Sequence, residues 1–114
     1  MNVEWYWSKG LHDAKIISVE TVDLQYDYTQ RNPLRNYLQI NLDASGALFD
    51  YKVKFIRLYN FKVTKGDCNL TGLWWLHDEL CEKNGKYILK IYLRALKCEK
   101  EIEVVFEKAE VVRN

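Results

Sequence analysis

The stretch "NGKYILKIYLRALKCEKEIEVVFEKAEVV", residues 84–112, decides the fold. It opens on Asn84-Gly85, a dipeptide suited to the left-handed backbone of a tight hairpin turn. Behind it Tyr87, Leu89, Ile91 and Leu93 alternate with Ile88, Lys90, Tyr92 and Arg94, the period-two spacing of a strand with two semi-apolar faces. Ile102, Val104 and Phe106 repeat that spacing after the short charged linker "KCEKE". An antiparallel hairpin is expected.

The same period extends toward the N-terminus. In "NYLQINLD" (36–43) Leu38, Ile40 and Leu42 alternate with Tyr37, Gln39 and Asn41, a half-buried strand. In "YKVKFIRLYNFKV" (51–63) Arg57 falls in the set of Val53, Phe55, Tyr59, Phe61 and Val63, while Ile56 and Leu58 fall in the other. Either both faces are covered or a bulge shifts the phase. "AKIISVETVDL" (14–24) is β-branched and predicts the first strand, beginning just after His12-Asp13. "QYDYTQRNPLR" (25–35), with the chain's one proline, predicts a loop, and "DASGAL" (43–48) and "TKGDCNLTG" (64–72) predict turns. "LWWLHDELCEK" (73–83) spaces Leu73, Leu76 and Leu80 for a short helix, but the adjacent Trp74 and Trp75 favour a strand. The expectation is one all-β domain over residues 1–114, a compact antiparallel sandwich or half-open barrel of about six to seven strands connected in sequence.

Composition bounds the function. A chain of 114 residues can bury a sufficient core without disulfide or metal staples. With 48% apolar and 29% charged residues it is not of disordered composition. Seventeen Lys and Arg against sixteen Asp and Glu leave a formal charge of +1, so no global field draws it to nucleic acid or an anionic membrane. Cys68, Cys81 and Cys98 form no C-x-x-C spacing, which argues against zinc ribbons and thioredoxin-type motifs and fits a reducing compartment. "MNVEWYWSK" lacks the apolar run of a signal peptide, and the expected location is the cytoplasm.

Two patches repeat a pattern of tryptophans followed by Leu-His-Asp: "WYWSKGLHDAKI" (5–16) and "GLWWLHDEL" (72–80). His12, Asp13, His77 and Asp78 are a chemically adequate set for a divalent metal if the patches meet. Neighbours on a strand point to opposite faces, so each pair offers one ligand unless it lies on a turn. Asp13 is placed for an Asx-type bond to backbone ahead of the strand. Trp5 and Trp7, spaced by two, predict a shared strand face with Tyr6 opposite, whereas Trp74 and Trp75 should point apart, one to the core and one partly exposed. Exposed tryptophans would anchor a protein partner, a sugar face or a nucleobase. The cysteines near His77 lack any nucleophile-elbow or oxyanion-hole context and read as core filler. No phosphate-cradling glycine loop is present, and the H…HD…D pattern of helical phosphohydrolases lacks both its helices and its additional histidine. Neither a catalytic residue nor a cofactor is expected.

The stretch "WSKGLHDAKIISVE" (7–20) resembles small bacterial proteins that open on an aromatic segment, then H-D-A-x-[IL], then a strand. Some of those are immunity proteins of polymorphic toxin systems. The resemblance rests on His12-Asp13-Ala14 and implies an all-β domain that binds another, toxin-like protein rather than catalysing a reaction. No family catalytic residue can be carried over. The near-neutral charge departs from the acidic surface expected of an inhibitor of a basic nuclease. Three functions follow as expectations: partner-protein binding; small-ligand or metal binding in a pocket between the patches; and single-stranded nucleic-acid binding along the basic middle segment, with Trp5, Trp7, His12, Asp13, Trp74, Trp75, His77 and Asp78 as the candidates for holding a partner or ligand.

Overall fold

The structure, a computed structural model, describes residues 5–7, 10–22, 26–27, 32–33, 36–47 and 50–114. Among the described residues ten strands form: β1 (Lys15–Val22), β2 (Tyr26–Asp27), β3 (Asn32–Pro33), β4 (Tyr37–Asp43), β5 (Val53–Tyr59), β6 (Lys62–Lys65), β7 (Trp74–Lys83), β8 (Lys86–Arg94), β9 (Glu99–Phe106) and β10 (Lys108–Arg113). Eight form one antiparallel sheet in the order β10-β5-β4-β1-β7-β8-β9-β6, and β2 pairs with β3 inside the stretch read as a loop. No helix among the described residues is long and apolar enough to cross a membrane.

The order across the sheet is linear, but the pairing closes it. Only Asn60-Phe61 separates β5 from β6, and only Glu107 separates β9 from β10. β5 pairs with β10 and β6 with β9, and where the two ladders meet they share one register, with Tyr59 opposite Lys108 and Lys62 opposite Val105. They are therefore one long two-stranded ribbon with a kink. Asn60 supplies the bend with a positive φ of 52°, which asparagine tolerates better than most residues. Its amide donates to Glu107 Oε2 at 2.6 Å, and the Glu107 N–H donates to the Tyr59 carbonyl at 3.1 Å. The eight strands thus reduce to six continuous ones in a ring: β1, β4, β5–β6, β9–β10, β8, β7.

The ring is a half-open barrel. Between β1 and β7 the strand pairing is a single residue pair, Lys15 opposite Trp74. Four backbone bonds extend this seam: Asp13 N–H to the Trp75 carbonyl, Trp75 N–H to Ala14, Ile16 N–H to Leu73 and Gly72 N–H to Ile16, all 2.8–2.9 Å. Beyond them β1 and β7 have no further pairing, because the two strands start at this pair and run from it in opposite directions. The strands are also not a simple meander, because the chain from β6 to β7 skips over β9 and β8 in the ring.

Inside lie Ile16, Leu38, Ile40, Ile56, Leu58, Trp75, Leu89, Ile91, Leu93, Ile102, Val104 and Phe106, all fully buried. Full burial of side chains this size stabilises by about 1.5–3 kcal/mol each. The ambiguous strand β5 resolves as a bulge: the ladder to β10 shifts between Val112 and Arg113, opposite Phe55 and Val53. Val53 faces inward before it and Ile56 and Leu58 after it, which turns Arg57 to the outer face. There its guanidinium lies 4.3 Å from the Tyr37 ring and donates to Gln39 Oε1. Gln39 and Asn41 continue that network to Ser18. The Asn84-Gly85 turn has positive φ at both residues, 54° and 76°, as the hairpin reading requires.

Gly66 lets the chain leave β6 pressed against β9. Its φ is 82°, and a Cβ there would overlap the Glu101 carbonyl oxygen, whereas Gly10 has φ 84° and open space around it. Left-handed backbone costs an alanine about 1–2 kcal/mol. Gly10→Ala should lose about that much in urea unfolding, and Gly66→Ala about 3 kcal/mol or more, since overlap adds to the dihedral cost. Equal losses would show that Glu101 does not confine Gly66.

Candidate functional site

The two Trp/His-Asp patches meet, and they meet on Asp78. Residues 5–7 form a turn and bend, not a strand, so the expected split of Trp5 and Trp7 from Tyr6 does not hold. Trp7 and Tyr6 instead converge. Trp7 Nε1 donates to Asp78 Oδ2 at 2.7 Å, Trp75 Nε1 donates to the same oxygen at 2.8 Å, and the Tyr6 hydroxyl donates to Oδ1. Trp7 and Trp75 are edge to face, with centroids 5.4 Å apart and planes at 90°. Their bodies are in the core, 1% and 0% exposed, so each buried indole N–H needs an acceptor. One carboxylate serves both.

A bulge makes this possible. The β7–β8 register shifts between Trp75 and His77, leaving Leu76 as the extra residue. Without it Trp75 and Asp78, three apart, would lie on opposite faces. With it Asp78 lies opposite the buried Ile91 and shares the face of Trp75, while His77 turns outward opposite Tyr92. The His77 ring stacks on Tyr92 at 4.3 Å. The bulged Leu76 also offers its carbonyl to His12 Nδ1 at 2.7 Å. A carbonyl only accepts, so Nδ1 carries the proton and Nε2 is the free nitrogen.

His12 and Asp13 lie on a turn, both exposed, with Nε2 3.6 Å from Asp13 Oδ1. Asp13 has a φ of 72°, and its N–H, not an Asx-type side-chain bond, secures it to Trp75. Among the described residues no three His, Cys, Asp or Glu side chains are placed to hold a metal. The reason at Asp78 is chemical, because both its oxygens already accept protein donors.

The eight candidates therefore divide. Trp7, Trp75 and Asp78 hold the fold together. Trp5 packs on Tyr87 and Phe106 at 5.5 and 5.7 Å and closes the core beside them. His12, Asp13, Trp74 and His77 face solvent. Trp74 is 40% exposed with the Lys15 ammonium over its ring at 5.4 Å, so the expectation for the Trp74-Trp75 pair holds. Two depressions flank His12 and Leu76. One, about 290 Å³, is bounded by Tyr6, Trp7, Gly10, Leu11, His77 and Asp78. The other, about 270 Å³, is bounded by Asp13, Trp74, Arg94, Ala95 and Leu96.

Arg94 and Leu96 are absent from the sequence-based candidates. Leu96 is 96% exposed in the β8–β9 turn. Its signal is an aliphatic residue inside the charged segment "RALKCEK": Ala95-Leu96 reads as the end of the strand, whereas β8 stops two residues before Leu96, at Arg94. The cysteines depart from core filler: Cys68 is half-buried, and Cys81 and Cys98 are exposed.

Burial and the Asp78 carboxylate push the Tyr6 hydroxyl well above the usual tyrosine range. Its proton is thus held more tightly folded than unfolded. The contribution is complete below about pH 10, the unfolded value, and is lost as pH rises toward the folded one. Wild type should lose stability above pH 10 more steeply than Tyr6→Phe, read from denaturation midpoints between pH 8 and 11; parallel curves would disprove the link. Asp78→Ala strands two indole N–H groups and a hydroxyl, and should cost about 3–5 kcal/mol. Asp78→Asn, retaining one acceptor oxygen, should cost about 2 kcal/mol. Near-UV circular dichroism and chemical denaturation measure both.

Comparison of the chain with protein-family models, with curated proteins and with solved structures finds no match to any of them.

Proposed function

We propose that the protein is a binding module for a partner protein and that it docks through the face centred on Trp74 and Leu96. One observation carries this reading: a half-exposed tryptophan and a fully exposed leucine, from different strand ends, border the same depression with His12, Asp13 and Arg94 around them. An apolar centre with a polar rim is the anatomy of a protein interface, and tryptophan is among the residues that most often dominate binding energy. Leaving Leu96 in water has no benefit to the folded chain. The support from sequence is the His12-Asp13-Ala14 resemblance, which points to an immunity-type protein and a toxin-like partner.

Immobilised wild type and the Trp74→Ala, Leu96→Ser double variant should be compared for capture from the same lysate. The reading expects a protein retained by wild type and lost from the variant, with an affinity difference of about 30-fold or more. Identical thermal unfolding of the two chains secures the comparison, since both side chains are at the surface. Equal retention, or none by either chain, would remove the reading.

A further inference from the structure

We infer that the outer edge of β7, from Asp78 to Lys83, pairs with the same edge of a second copy of this chain, antiparallel and two-fold symmetric about Cys81. On one side β7 is laddered to β8 from Trp74 to Lys83; on the other its only strand partner among the described residues is β1, at Trp74. The Asn84-Gly85 turn, with positive φ at both residues, makes Lys83 and Lys86 the hydrogen-bonded pair that closes the hairpin. Such pairs recur at every second residue, at Cys81, Glu79 and His77. Asp78, Leu80 and Glu82 therefore turn their backbone N–H and C=O groups away from β8. Trp75 does the same before the bulge, and there both groups are used on the seam, with Ala14 and Asp13. Past the seam Cys81, Glu82 and Lys83 are all exposed, so neither face of the strand end is covered. A row of outward backbone donors and acceptors is matched by another β-strand.

Charge selects the copy and the register. The outward groups of two copies join only where Asp78, Leu80 and Glu82 are set against those same residues. An axis on Asp78, Glu79 or Glu82 sets that carboxylate against its own counterpart, and an axis on Leu80 sets Asp78 against Glu82. Like charges directly opposite destabilise a strand pair. An axis on Cys81 avoids them: Glu79 of each copy faces Lys83 of the other, and Leu80 faces Glu82. Both charged residues gain by it. Lys83 faces Lys86 within its own hairpin, and the lysine opposite Glu79, Lys90, reaches on to Glu103 at 3.9 Å. Among the described residues neither Glu79 nor Lys83 makes an ion pair. The same patch meets itself, so assembly closes at two copies. Strands β6, β9, β8 and β7 run on into their counterparts as one sheet, and Trp74, at the far end of β7, is left clear.

Sedimentation equilibrium of the full chain, from about 10 µM to 1 mM, should show reversible passage from monomer to dimer. Lys83→Glu sets carboxylates opposite each other at two places and should weaken the dimer at least tenfold; adding Glu79→Lys should restore it to within about threefold. Glu82→Pro removes an outward N–H and no bond to β8, and should abolish the dimer. Glu79, Glu82 and Lys83 are all exposed, and unchanged unfolding midpoints check that the variants fold. Should Glu82→Pro fail to fold, the charge reversal and its restoration decide alone. Across the axis the Cys81 Cα atoms would be about 4.5 Å apart, within disulfide reach. Diamide, taking up the two protons and two electrons that the thiols lose, should therefore link two copies through Cys81, as read by peptide mass spectrometry. A monomer at every concentration would overturn the inference. So would a link through Cys98 in place of Cys81, or a dimer that Lys83→Glu leaves intact. A dimer lost in the Trp74→Ala, Leu96→Ser variant would assign it to the docking face and overturn the β7 pairing as well.

Discussion

A single carboxylate, Asp78, organises this protein. Large aromatic side chains give a small barrel much of its apolar volume, but each buried indole brings an N–H that cannot be left bare. Trp7 comes from the N-terminal segment and Trp75 from β7, and a shared acceptor fixes where the first must lie on the second. Tyr6 adds a third donor from the rim. The N-terminal segment has no ladder of its own at these residues. What holds it against the barrel is this polar knot and the packing of Trp5, Trp7 and Leu11.

The knot depends in turn on one irregularity in the sheet. The bulge at Leu76 separates the facing of Trp75 from that of His77 and brings Asp78 back into phase. It also frees the Leu76 carbonyl for His12, so the same extra residue ties down both patches. Regular alternation would have exposed Asp78 and pointed His77 into the core. The resemblance between the two Trp/Leu-His-Asp stretches is thus one of letters: His12 and Asp13 lie on a turn, whereas His77 and Asp78 lie on a re-phased strand.

Much of the fold was legible because its signals are local. Asn84-Gly85 names its turn, and Leu38, Ile40 and Leu42 name their face, since each needs only neighbours two residues away. Arg57 announced a phase shift without saying where it fell; the answer lies in a ladder with Val112 and Arg113, more than fifty positions distant. The ring closure was invisible for the same reason. Nothing near Asn60 in the chain shows that its side chain meets Glu107. At the site, sequence spacing drew attention to the histidines and tryptophans, yet the donor count that makes Asp78 central exists only once residues 6, 7 and 75 converge. Leu96 was hidden by its assignment to the strand that ends before it.

The narrow seam between β1 and β7 has a consequence for how binding and folding are linked. Every other junction in the ring is a ladder of several residue pairs or more, and this one is a short stitch through residues 13–16 and 72–75. Trp74, Asp13 and Lys15 sit on that stitch. A partner seated over them spans both sides of the joint, and whatever binds only the closed barrel stabilises it by mass action. If a partner were seated there, the short stitch at Ala14–Ile16 would be braced from outside, and backbone exchange along it would slow in step with occupancy.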